Sequence, residues 1–334
     1  MVDTLSGDEA CRKLSEPWNS LVVDEPETLR GLDGTNTSQW FQAMLEAFPE
    51  AAKARVIVAR KGNELVGLLP IVVGQQNVFG TRLLSATELY CGRSGLLISP
   101  QRDDVLVAML GELSRNWPRW ISLQTMLVSD SSNENAISQS CQTSGYAMSR
   151  GAVQESPYFP LLESTEAFRS GVSKSVLQMI RTARNKFSTL GPLTFREFSE
   201  FGAADELMDV VLTVERQSWK HAAGTAITAQ PRQERFYKAL FPRAFASQML
   251  QAEVLYLRDQ PVAYNFGLRR ANVYSCLKHS NVQEYDKLSP SYLLNDSMFA
   301  RLRSQGVVTY DFMGVMEPHK LRWSNLNASY QRST

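Results

Sequence analysis

In the second half of the chain, apolar positions repeat at the spacings of helix faces and strands. Val176, Ile180, Ala183, Phe187 and Leu190 follow the i, i+4, i+7 rhythm of one amphipathic helix, and Gly191-Pro192 stops it. Residues 193–198 read as a strand, and residues 204–220 and 234–246 as two helices. Strands over 253–257 and 262–268 pair around Asp259-Gln260-Pro261. A strand over 272–278, a helix over 291–304 and a strand over 307–312 complete the order β-α-α-β-β-β-α-β, which implies a mixed sheet flanked by helices.

The first half has a similar but fainter pattern. Trp40, Met44 and Phe48 lie about one turn apart, so residues 39–47 read as a helix. Strands over 55–59 and 65–73 flank the turn signal Lys61-Gly62-Asn63. A short strand over 94–98, a helix over 105–113 and a strand over 120–126 follow, then a Ser/Asn-rich loop over 129–135. The shared hairpin–strand–helix–strand order suggests that one fold occurs twice. With 334 residues, the expectation is an α/β protein (α+β, mixed sheets) of two domains, 1–150 and 151–334.

Composition narrows the function. A 43% hydrophobic, 21% charged chain can bury a real core, which excludes a disordered polymer. A formal charge of +1 argues against bulk nucleic-acid binding. The acidic, polar start, Met1-Val-Asp-Thr-Leu-Ser-Gly-Asp-Glu9, does not read as a secretory signal. Apolar stretches such as 65–73 fall short of the roughly 20 residues of a membrane helix, so a cytoplasmic protein is expected. Cys11, Cys91, Cys141 and Cys276 are scattered and read as reduced thiols. His221, His279 and His319 lack metal-site spacing, so no metal is expected. Neither a GxSxG elbow nor a GxxxxGK loop occurs.

Four segments carry a family resemblance: Val214-Glu-Arg-Gln-Ser-Trp-Lys220 with Gly224-Thr-Ala-Ile227; Leu288-Ser-Pro-Ser-Tyr-Leu-Leu294; Gly306-Val-Val-Thr-Tyr-Asp-Phe-Met-Gly314; and His319-Lys-Leu-Arg-Trp323. Together they resemble the GNAT acyltransferase branch often associated with bacterial cellulose biosynthesis. Ser291 stands where that branch usually has Gly, and His319 where it often has Tyr. The resemblance covers about residues 155–325 well and the first half only in layout. It implies tandem GNAT-like domains and transfer of an acyl group from acyl-CoA or an acyl carrier protein to a small-molecule amine. No cofactor is implied beyond that co-substrate. A more distant resemblance, to the Fem family of aminoacyl-tRNA-dependent transferases, implies an aminoacyl-tRNA donor instead. A catalytically silent GNAT-like binding module is the third reading.

Candidate site residues follow. Leu207, Val210, Val211 and Val214, extended by Met208, Leu212 and Trp219, form an apolar helical arc with Glu215 in its middle. An inward carboxylate is either a desolvated general base or a buried clamp on a loop, and both readings stand. Ser289-Pro290 reads as an N-cap and first turn, so the amides of Ser291, Tyr292 and Leu293 suit the donor's phosphates. Lys278 and His279 end one strand and Asp311 another, where open sheets place ligands. His279 is a candidate proton acceptor. Asp311 is a candidate catalytic residue, although a structural pair with Lys320 or Arg322 is the favoured reading. Trp219, Lys220, Lys320 and Trp323, with Lys278, are candidates for substrate binding. The basic residues Lys174, Arg181, Arg184 and Lys186 read as a solvated helix face.

Overall fold

The computed structural model describes residues 1–21, 34–85, 90, 93, 96–99, 103–129, 132–161 and 170–334. They fall into two units, Met1–Glu155 with Ala328–Thr334, and Ser156–Asn327. Cys91 and residues 94, 95, 130 and 131 lie outside the described residues.

The first unit opens with β1 (Val2–Ser6), α1 (Gly7–Leu21) and α2 (Ser38–Ala47). The acidic start therefore holds a strand and a helix that the sequence reading passed over. In α1, Ala10, Cys11, Leu14, Trp18 and Leu21 form the buried stripe, while Asp8 and Glu9 face the positive end of the helix dipole. The turn at Gly62 (φ +60°) joins β2 (Arg55–Lys61) to β3 (Glu64–Asn77). β4 (Gly80–Ser85), β5 (Leu97–Ile98), α3 (Asp103–Asn116) and β6 (Trp120–Val128) follow, with β4 and β6 parallel. The expected loop is helical from residue 132 onward, in α4 (Ser132–Thr143). Its Glu134 carboxylate is buried against Arg150 at 2.7 Å, and Ala136, Ile137 and Cys141 pack on the core. Tertiary packing overrides a polar composition there.

β7 (Arg150–Pro160) leads into the second unit, whose α5 (Lys174–Ser188) begins where the Ser173 hydroxyl accepts the Val176 N–H. Next come β8 (Leu193–Glu197), α6 (Ala204–Arg216), the short α7 (Trp219–Ala222) and α8 (Pro231–Ala246). The single helix expected over 204–220 breaks at Gln217-Ser218, where the Ser218 hydroxyl donates to the Glu215 carbonyl at 2.8 Å. β9 (Leu250–Leu257), buried throughout, pairs with β8 and β10 (Gln260–Arg270). β11 (Val273–Asn281), α9 (Pro290–Ser304), β12 (Thr309–Asp311) and α10 (Pro318–Leu321) complete the unit, in sheet order β7-β12-β11-β10-β9-β8. Its core runs from Val176, Ile180 and Phe187 to Met298, Phe299 and Tyr310. β13 (Asn327–Ser333) returns to the first unit and pairs antiparallel with β6, Ser333 opposite Thr125. Each unit thus has a mixed sheet with helices in GNAT-like order.

At Phe266/Gly267 the β10–β11 register slips, leaving Leu277 without an opposite residue. A Cβ on Gly267 would collide with the Ser275 carbonyl oxygen and come within 2.7 Å of the Tyr274 ring. Gly267→Ala is therefore expected to destabilise the protein by about 1–3 kcal/mol or more, read as a lower urea midpoint with unchanged slope.

Candidate active site

The parallel pairing of β11 with β12 ends at Ser275–Asp311, while β11 runs on to Asn281. Two short elements converge on that extension. From α7, Lys220 Nζ donates to the His279 carbonyl. From α10, the His319 ring lies with its centroid 5.5 Å from that of His279. Below them, Met313 (φ +54°) and Gly314 (φ +63°) make a tight left-handed turn after β12. Asp311 Oδ1 accepts the Met313 N–H at 2.8 Å, and Lys320 Nζ donates to the Met313 and Val315 carbonyls at 2.8 and 3.0 Å. Lys320 also pairs with Glu317 at 3.1 Å. Asp311 and Lys320 thus hold one turn by its amide and its carbonyls, and both are buried.

This packing fixes the charge states. Burial, then the charges of Lys220, His319 when it is protonated, Lys320 and Lys278, hold the His279 pKa well below the usual imidazole range. Its ring is therefore neutral at pH 7, and the residue is half-buried. Burial lowers the His319 pKa as well, although Glu317 opposes the shift. Burial also lowers that of Lys220, with Glu215 opposing and Lys278 reinforcing. Four of the expected residues, Lys220, Lys278, His279 and Lys320, therefore share one electrostatic neighbourhood, and Asp311 holds the turn at Met313 that Lys320 also binds.

Glu215 faces inward and is 1% exposed. One carboxylate oxygen accepts the Ile227 N–H and the other the Tyr264 hydroxyl, each at 2.6 Å. The carboxylate ties the segment between α6 and α8 to β10. Trp219 does not extend the apolar arc, because the break before it turns the ring outward to 50% exposure. Trp323 is buried, its centroid 5.1 Å from Phe299 and 5.6 Å from Tyr292.

At the start of α9, Ser289 sits at the N-cap but makes no side-chain cap. It adopts a left-handed backbone (φ 57°, ψ 52°) ahead of Pro290. The Tyr292 amide bonds the Ser289 carbonyl at 3.1 Å, and the Tyr292 and Leu293 side chains are buried. The Tyr292 hydroxyl accepts from Arg322 at 2.9 Å. Arg322 and Trp323, with Phe159, Ser173 and Leu326, line a cavity of about 360 Å³ within this unit. The helix start and the cavity are thus linked through the Tyr292–Arg322 pair.

Sequence reasoning missed a buried polar network beside the site. Asn265 Nδ2 donates to the Tyr310 hydroxyl at 2.6 Å, and Asn265 Oδ1 accepts the Tyr274 hydroxyl at 2.8 Å and the Cys276 thiol at 3.5 Å. Its one visible signal was an amide inside the apolar run 262–268. Burial pushes the Cys276 pKa up to about 11, so this thiol is not a nucleophile near neutral pH. Among the described residues, no cluster of His, Cys, Asp or Glu could hold a metal ion, and no helix is long and apolar enough to cross a membrane.

A mixed sheet with this element order, in each of two units, defines the tandem GNAT class of acyl-transfer folds. Residues 174–321 match the acetyltransferase (GNAT) domain family, and this match supports an N-acyltransferase. The fold is similar to that of FemX, with a TM-score of 0.68 at 10% identity over 99% of this chain and 96% of that one. It is also similar to L-PGS from Bacillus licheniformis (TM-score 0.56, 11% identity, 93% and 91% covered). A tandem GNAT protein from the clavulanic acid biosynthesis pathway is a third (TM-score 0.51, 12% identity, 100% and 98% covered). No curated protein sequence matches the chain.

Proposed function

We propose that the second unit transfers an acyl group from acyl-CoA or an acyl carrier protein to the nitrogen of a small-molecule amine, with His279 accepting the proton. The observation that carries this reading is the neutral side chain of half-buried His279, next to the His319 ring and within the field of Lys220, Lys278 and Lys320, on the stretch of β11 beyond its pairing with β12. The amine nitrogen attacks the thioester carbonyl, the C–N bond forms, and the adduct passes a proton to His279. The C–S bond then breaks and the thiol leaves with that proton, so an amide and a thiol are the products. The donor's phosphates supply negative charge against the surrounding cations. Their arrival offsets the field that weakens His279 as a base, so basicity rises when the donor is bound.

In this reading the backbone from Ser289 to Leu293 faces the phosphates at the N-terminus of α9. The adjoining cavity, at about 360 Å³, is within the range of about 300–1,000 Å³ common for small-molecule sites. In this reading Trp219, exposed beside Lys220, flanks the acyl group. The acceptor is an amino sugar, amino acid or lipid-like amine, and the resemblance to the cellulose-associated branch favours an amino sugar of polysaccharide biosynthesis. The second reading, an aminoacyl-tRNA donor, draws on the fold's similarity to FemX across nearly the whole chain.

One assay separates the two. Acyl-CoA esters, acyl carrier proteins and aminoacyl-tRNAs are incubated with a panel of amines in the presence of chelator, and thiol release and tRNA deacylation are followed. Amine-dependent thiol release is expected. Deacylation of tRNA without thiol release replaces the first reading with the second.

A further inference from the structure

Past its last pair with β2, Arg55–Ile71, β3 runs on from Val72 to Asn77 and returns as β4. At roughly 3.3–3.4 Å per residue, this β3–β4 arm reaches about 20 Å beyond β2. Its two loop residues, between the paired Asn77 and Gly80, are Val78 and Phe79. A loop this short ordinarily takes Gly, Asn or Asp, whose backbones suit the turn. Here two apolar side chains stand instead, 79% and 80% exposed, the most exposed large apolar groups among the described residues after Met1. Arg119, just before β6, donates to the Val78 carbonyl at 3.0 Å, and Ile121, 51% exposed, lies against Gly80.

These apolar groups sit in a basic setting. Segments 72–85 and 113–128, which build the arm and its neighbour β6, contain Arg82, Arg115 and Arg119 and no Asp or Glu. Arg115 is paired with Glu112 at 2.9 Å, whereas Arg82 and Arg119 are exposed. Three apolar side chains fall short of the roughly 800 Å² per partner that a standard protein interface takes. A bilayer needs less: a few apolar groups at the acyl boundary and cations among anionic headgroups. We propose that the β3–β4 tip docks the first unit on an anionic lipid bilayer. Val78 and Phe79 enter the boundary between headgroups and acyl chains, and Arg82 and Arg119 meet the lipid phosphates. The contact is peripheral and reversible, and it does not rest on the chemistry proposed at His279.

The full-length protein is sedimented with vesicles of phosphatidylcholine, either alone or mixed equally with phosphatidylglycerol. Binding to the mixed vesicles is expected, and it should weaken as salt rises. The double variant Val78→Ser/Phe79→Ser changes only exposed loop side chains, so its urea midpoint should hold. Its partitioning onto mixed vesicles should fall by about tenfold or more, as apolar burial is lost. Arg82→Gln should weaken the same binding by about fivefold, the worth of one cation at an anionic surface. Phe79→Trp should add a blue-shifted emission, absent from the wild type, that lipids brominated on their acyl chains quench. Absence of binding to mixed vesicles, equal binding to phosphatidylcholine alone, or a serine or glutamine variant that binds like the wild type would each overturn the proposal. So would a wild-type oligomer that ignores vesicles and that the serine variant disperses, because a second copy would then cover the tip.

Discussion

His279→Asn is expected to lower kcat for acyl transfer by about 10²–10⁴-fold, the usual worth of a general base, while donor affinity and Tm change little. Asparagine retains polarity at the end of β11 but cannot accept the proton. The main-chain carbonyl that receives Lys220 remains, so α7 keeps its anchor. The pH profile provides a second readout. An ordinary imidazole protonates near 6.5. Because burial and the adjacent cations hold the His279 pKa well below that, kcat/KM of the wild-type protein should stay level as pH falls through about 6.5 and decline only further down. Stability follows the same sign. Below the unfolded pKa the unfolded chain takes up a proton at His279 that the folded chain refuses, so stability drops as pH falls. In His279→Asn that contribution disappears. An acidic limb centred at 6.5, or normal turnover in the asparagine variant, would remove His279 from the proton-transfer step.

Glu215→Ala is expected to cost about 3–5 kcal/mol of stability, seen as a large fall in the urea midpoint. The carboxylate accepts one obligatory donor, the Ile227 N–H, and the Tyr264 hydroxyl, and the truncation leaves both facing a void. Glu215→Gln separates structure from chemistry. Its carbonyl can serve Ile227 and its amide can donate to the rotated Tyr264 hydroxyl. Only the charge assistance is lost, about 1–3 kcal/mol. Turnover per folded molecule should then remain close to that of the wild type. A drop of 10²-fold or more in a folded, equally stable Gln variant would instead make Glu215 the base.

Legibility in the sequence followed the range of the forces involved. The helix over Val176 to Phe187 could be read because its apolar spacing and its Gly191-Pro192 stop are local. The inward direction of Glu215 could be read for the same reason. Its partners could not: Ile227 and Tyr264 reach it through a loop and a strand that only the fold brings near. The outward turn of Trp219 depends on one hydroxyl bond at Ser218 that ends α6 early, which periodicity does not register. α4 was hidden because Ser, Asn and Gln say loop, and only the buried Glu134–Arg150 pair and packing on the core make it a helix. The Asn265 network joins three strands, so its members are invisible until β10, β11 and β12 lie side by side.

The return of β13 to the first unit has a consequence for how the protein is made. All of Ser156–Asn327 must be synthesised before the strand that pairs with β6 exists. On a ribosome adding about 5–20 residues per second, β6 waits with that ladder unformed while the second unit can already fold. An unpaired strand edge invites pairing with other chains. Slowing translation over the second unit therefore lengthens the time for which that edge of the nascent first unit stays unpaired.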